Sequence, residues 1–103
     1  MPAQVTVIYP NEPNAKFDMD YYLSTHMPLV QKLWGPQGLK SWTVLKFGND
    51  SPYSVQATLE WDDMETFQKA AAGEHTAEIM NDVPNFASTK PHLMPGEVVG
   101  KQK

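Results

Sequence analysis

Few side chains in this chain can carry chemistry. There is no Cys and no Arg, so thiolate nucleophiles and Cys-held metals are excluded. The planar fork that best grips phosphate is also missing. Three histidines remain, His26, His75 and His92, among tyrosines, threonines and carboxylates. Spacing singles out one group. Asp18, Tyr22 and His26 follow each other at intervals of four, and residues four apart stack along one side of a helix. An imidazole in a partly apolar setting stays neutral near pH 7 and offers one donor and one acceptor nitrogen. His26 is therefore a candidate general base or acid toward a bound small molecule, and Tyr22 a candidate donor to a carbonyl or phenolate oxygen. The competing reading is a packed core histidine bonded to a strand carbonyl, with Tyr22 filling space.

The remaining candidates are weaker. His75 follows Gly73 at the start of a short helix, which suits a capping or solvated role. His92 lies among Pro91 and Pro95 and is expected to line the same cavity as His26, with Val30 and Trp61 as apolar walls. A second polar group opposite the base is expected from His92, Thr6, Thr43 or Thr58. No two histidines have the i,i+4 spacing of helical metal ligands, so no metal and no cofactor are expected. Serine-nucleophile, Walker and dinucleotide signatures are absent. Gly35-Pro36-Gln37-Gly38 is a turn with no strand before it to build a phosphate site.

The elements that must position these residues follow from periodicity. Gln4 to Tyr9 alternates as a strand, and the prolines of Pro10 to Asn14 make a loop. Asp18 is an N-cap, with Phe17 and Tyr22 spaced as a hydrophobic staple. The helix carries a buried stripe of Tyr22, His26 or Met27, Val30, Leu33 and Trp34. Pro28 removes a donor within it, so a kink is expected over Thr25 to Met27. Leu39 to Phe47 and Tyr53 to Trp61 read as a hairpin around Gly48 to Pro52. Asp62 is expected to cap a second helix, with Glu65 completing a capping box. A short helix spans Glu74 to Asp82. Phe86 to Val99 reads as a bent edge strand, where proline is tolerated. The order β-α-β-β-α-β is that of an α+β, ferredoxin-like fold: a four-stranded antiparallel sheet with its helices on one face, here as one domain over residues 1–103.

Leu39 to Phe47 is apolar on both sides. Either Trp42 and Val44 or Leu45 and Phe47 must face away from the helices. Burying such a side chain is worth about 1.5–3 kcal/mol, so a homodimer packed through the sheet face is expected. A net charge of −4 provides no footprint for nucleic acid. No apolar run approaches a membrane span and no basic leader opens the chain, which makes the cytoplasm the expected location.

The run Phe17-Asp18-Met19-Asp20-Tyr21-Tyr22-Leu23-Ser24-Thr25-His26-Met27-Pro28-Leu29-Val30 resembles the EthD family, named for ethyl tert-butyl ether degradation. Asp82-Val83-Pro84-Asn85-Phe86 and the ending Gly96-Glu97-Val98-Val99-Gly100 resemble its C-terminal part. The resemblance implies a dimeric α+β barrel associated with oxidoreductase systems. Related barrels include cofactor-free monooxygenases, isomerases, and cyclases or dehydratases in which a His or Tyr beneath the helices moves a proton. Tyr22 and His26 match by position. Two functions are therefore expected. One is a cofactor-free acid–base enzyme acting on a small hydrophobic or aromatic oxygenated molecule. The other is a non-catalytic ligand-binding or accessory protein supporting an oxygenase pathway.

Overall fold

The computed structural model describes residues 1–102. Strands β1 (Ala3–Pro10), β2 (Leu39–Lys46), β3 (Tyr53–Trp61) and β4 (His92–Glu97) form one antiparallel sheet in the order β2-β3-β1-β4. The first helical run, α1, has three parts: Met19–Tyr21, a wide π turn at Tyr22–His26, and Met27–Trp34. Two shorter helices follow β3, α2 (Met64–Ala71) and α3 (His75–Asn81). This is the expected α+β plan, with the final strand at an edge as expected and β2 at the other. Among the described residues no helix is long and apolar enough to cross a membrane.

Alternation sets the core. Val55, Ala57, Leu59 and Trp61 of β3 are all buried and pair with Ala3, Val5, Val7 and Tyr9 of β1, on the side the helices cover. Met27, Val30 and Trp34 of α1 close over them. Strand β2 resolves the two-faced pattern by a bulge: Leu39 pairs with Trp61, but Ser41 already pairs with Glu60. The extra residue turns the face, so Leu39, Trp42 and Val44 all point toward the helices. Leu45 is left on the open face, opposite Gln56 and 49% exposed.

Local signals act largely as read. The Asp18 side chain accepts from the Tyr21 amide at 3.1 Å, and the Phe17 and Tyr22 rings meet edge to face at 4.9 Å. The disturbance expected before Pro28 takes the form of a widened turn. The amide of Met27 bonds the carbonyl of Tyr22, the i→i+5 pattern of a π turn, a feature frequent at functional sites. One cap is displaced. Asp63, not Asp62, starts α2, its carboxylate accepting from the Thr66 amide at 2.8 Å and the Thr66 hydroxyl at 2.7 Å. Glu65 thus falls one position short of a capping box, and Asp62 instead pairs with Lys40 at the β2 bulge. Gly38, at φ 119, ends the turn after α1 where any side chain would strike Thr66.

Candidate active site

The π turn lays the rings of Tyr22 and His26 against each other, 5.4 Å apart and within 12° of parallel. Phe86 packs against both rings, 4.5 Å from the imidazole and 4.9 Å from the phenol. Phe86 arrives from far along the chain because its segment is stitched to the start of α1. The Asp18 amide donates to the Phe86 carbonyl, the Ser88 amide donates to the Lys16 carbonyl, and Phe17 bridges Ala87. The same stitching carries in Asp82, at the end of α3.

Asp82 is the residue that sequence reasoning missed. His26 Nδ1 lies 2.8 Å from Asp82 Oδ2. The other oxygen, Oδ1, accepts from the Tyr21 hydroxyl at 2.6 Å and from the Asn85 amide at 2.9 Å. Burial pushes the carboxyl of Asp82 up, but the bonds from Tyr21, Asn85 and His26 together outweigh this and hold it below the usual range. Burial also pushes His26 below the usual histidine range, and the bond and charge of Asp82 offset this only in part. The pair is thus a neutral imidazole donating to a carboxylate. An ionised carboxylate only accepts, so Nδ1 carries the proton and Nε2 keeps its lone pair. This is the orienting logic of a histidine–carboxylate dyad. Nε2 has no hydrogen bond among the described residues.

His26 and Tyr22 border a narrow apolar cavity of about 30 Å³ between α1 and the sheet. Val7, Ala57 and Leu59 form its floor, Val30 and Trp34 its wall, and Met80 and Leu93 its rim. Burial pushes the phenols of Tyr9 and Tyr22 well above the usual range, and each also raises or tempers the other. Both therefore remain O–H donors at any ordinary pH.

Three expectations for the site are corrected. His92 pairs with Ile8 and points to the open face, because β4 places Leu93 opposite Val7 on the cavity side. Trp61 packs farther along the sheet against Trp34 and Phe67, at 5.7 and 5.4 Å, and does not line the cavity. Thr6, Thr43 and Thr58 share one row across the open face, so the polar partner of His26 comes from Asp82 instead. Val30 does line the cavity. The sequence did hold a signal for Asp82: an acidic residue ending a helix and followed by Val83-Pro84-Asn85-Phe86. Its distance from His26 along the chain hid the pairing. A wider cleft of about 700 Å³ lies at the other end of the sheet, lined by Lys40, Glu60, Asp62 and Glu97 and by no histidine. Among the described residues no three His, Asp or Glu cluster as metal ligands.

The EthD domain matches residues 14–90, a span that holds Tyr21, Tyr22, His26, Asp82 and Asn85. The chain is similar to an EthD-like protein from Ralstonia eutropha JMP134, at 32% identity over 98% of this chain and 95% of that one, with a TM-score of 0.84. It is also similar to an EthD family protein from Bacillus halodurans C-125, at 25% identity over 96% and 100% of the two chains, TM-score 0.73. SnoaB, a cofactor-independent oxygenase from Streptomyces nogalater, shares the fold at 14% identity over 99% and 95% of the two chains, TM-score 0.66. No curated protein matches.

Proposed function

Because this chain belongs to the EthD family, we propose that it binds a small hydrophobic or aromatic oxygenated molecule between α1 and the sheet, and that His26 acts on it as a cofactor-free general base. The observation that carries this reading is the 2.8 Å bond from His26 to Asp82. It assigns the proton to Nδ1 and leaves Nε2 basic beside an apolar cavity. An unpaired acceptor nitrogen beside a cavity is what a general base requires. SnoaB is a cofactor-independent oxygenase of the same fold; this is an analogy of architecture and carries no reaction across.

The step is a proton transfer. Nε2 takes a proton from a carbon next to a carbonyl, the C–H electron pair moves into the new enolate, and the Tyr22 hydroxyl donates to the enolate oxygen. Reprotonation from His26 returns the ketone or its isomer. The cavity as it stands has room for about one or two waters, so a ligand enters only if α3 and β4 part at Met80 and Leu93, which are 37% and 39% exposed. The second copy of the chain belongs to the same proposal. Leu45 and Met94 on the open face are 49% and 51% exposed, and a homodimer packed sheet to sheet covers them.

Deuterium uptake tests the base. Propiophenone in deuterated buffer should exchange its α-protons faster with the protein than without it. His26→Gln should remove about a hundred-fold of that acceleration, the usual worth of a positioned base. Equal rates for the native protein and the variant would leave only a ligand-binding role.

A further inference from the structure

Two buried side-chain polar atoms have no hydrogen-bond partner among the described residues, Nε1 of Trp34 and Nε1 of Trp61. Buried donors in folded proteins are almost always paired, so each invites a reason. Trp61 lines the wide, charged cleft at the far end of the sheet and stacks edge-on against Trp34 and Phe67. Trp34 lines the apolar cavity that His26 also borders. It is 3% exposed.

From this we infer that Trp34 is a specificity-determining residue of the site: its indole N–H takes an acceptor oxygen on the ligand, at the end opposite the group that meets His26. The inference rests on the reading of this cavity as a ligand site. The helix supplies the geometry. His26, Val30 and Trp34 follow at intervals of four, so they lie along one line. Eight residues at the helical rise separate the first and last by about 12 Å. Between them the lining is apolar: Val30 and Met27 from α1, Ala57 and Leu59 from the sheet. The ligand that fits is therefore elongated and apolar, with an acidic O–H or C–H at one end and a carbonyl-type acceptor at the other. A ligand with that acceptor pairs a donor that is unpaired in the free protein, and should bind about ten-fold more tightly than an analogue that leaves it unpaired. Selection by an unpaired donor is a strong form of discrimination, because the site favours the analogue that carries the partner atom.

The test uses two naphthols that differ at one group. One carries an aldehyde on the ring far from the hydroxyl; the other carries a methyl group there. Their affinities are measured by fluorescence on the full chain, and binding is followed on the indole N–H and His26 nitrogen resonances. The native protein should prefer the aldehyde by about ten-fold, and the Trp34 indole N–H should move downfield with the aldehyde only. Trp34→Phe keeps the aromatic bulk and should abolish the preference. The indole resonance of the native protein gives the answer even if that variant folds poorly. If the His26 resonances respond while the Trp34 N–H does not move, or if Trp34→Phe keeps the preference, the inference fails and the proposed site stands. Trp34 would then point its N–H only at the ring of Trp61, 5.7 Å away. If neither naphthol perturbs His26 or Trp34, both readings fall.

Discussion

Replacing Asp82 with Asn is the sharpest probe of the site, because the geometry dictates how the amide must sit. Tyr21 and Asn85 both donate to Oδ1, while His26 uses Oδ2. In the variant, two donors hold the amide oxygen on the Oδ1 side. The amide NH₂ therefore faces His26, and Nδ1 must become an acceptor. The imidazole answers by switching tautomer, moving its proton to Nε2 and losing the basic lone pair at the cavity. The native bond joins a neutral donor to a carboxylate whose side chain is 12% exposed. Its loss, partly recovered by the new amide bond, should cost about 1–2 kcal/mol of stability. For a chain of this size that lowers Tm by about 4–15 °C. Long-range nitrogen–proton NMR reads the tautomer directly, and calorimetry reads the stability. Propiophenone exchange should fall to the level of His26→Gln, although every ring in the site is still present. If His26 in the variant keeps its proton on Nδ1 and its native titration, then Asp82 does not set the tautomer, and the account of the base is wrong.

Three further outcomes follow from the same structure. His26 titrates lower in the folded chain than its ordinary 6.5, so the unfolded chain takes up a proton first. Stability should be full above about pH 6.5 and fall below it by up to about 1.4 kcal/mol per pH unit until His26 itself protonates; the depressed carboxyl of Asp82 should add a second decline below about pH 4. Urea midpoints against pH show both, and His26→Gln should flatten the first. Leu45→Glu sets charges facing each other across the proposed dimer interface and should give a folded monomer by light scattering, whereas an unchanged mass at unchanged circular dichroism rejects that interface. Gly38→Ala must adopt a left-handed φ and push its methyl group into Thr66, which should cost about 2 kcal/mol in chemical denaturation; a neutral effect would mean the turn relaxes freely.

Much of this protein was legible in its residues because much of it is local. Period-two alternation at Tyr53 to Trp61 defined a strand and its buried face. Asp18 with Phe17 and Tyr22 defined the start of α1, and intervals of four put Tyr22 and His26 on one side of it. Pro28 announced a disturbance, though not that a π turn would absorb it and stack the two rings. The faces of β2 were not legible, since a one-residue bulge at Lys40 reverses every side chain beyond it and leaves no mark in composition. His92 failed for the same reason: in a strand, one step of register decides between cavity and open face, and Leu93 took the inner position. Asp82 lay beyond any local rule. It reaches His26 only because residues 86–88 pair with residues 16–18. Sequence alone thus determined that a histidine would lie on the buried side of the first helix. Which proton that histidine holds was decided by tertiary structure, because a tautomer is set by whatever donor or acceptor the fold presses against the ring.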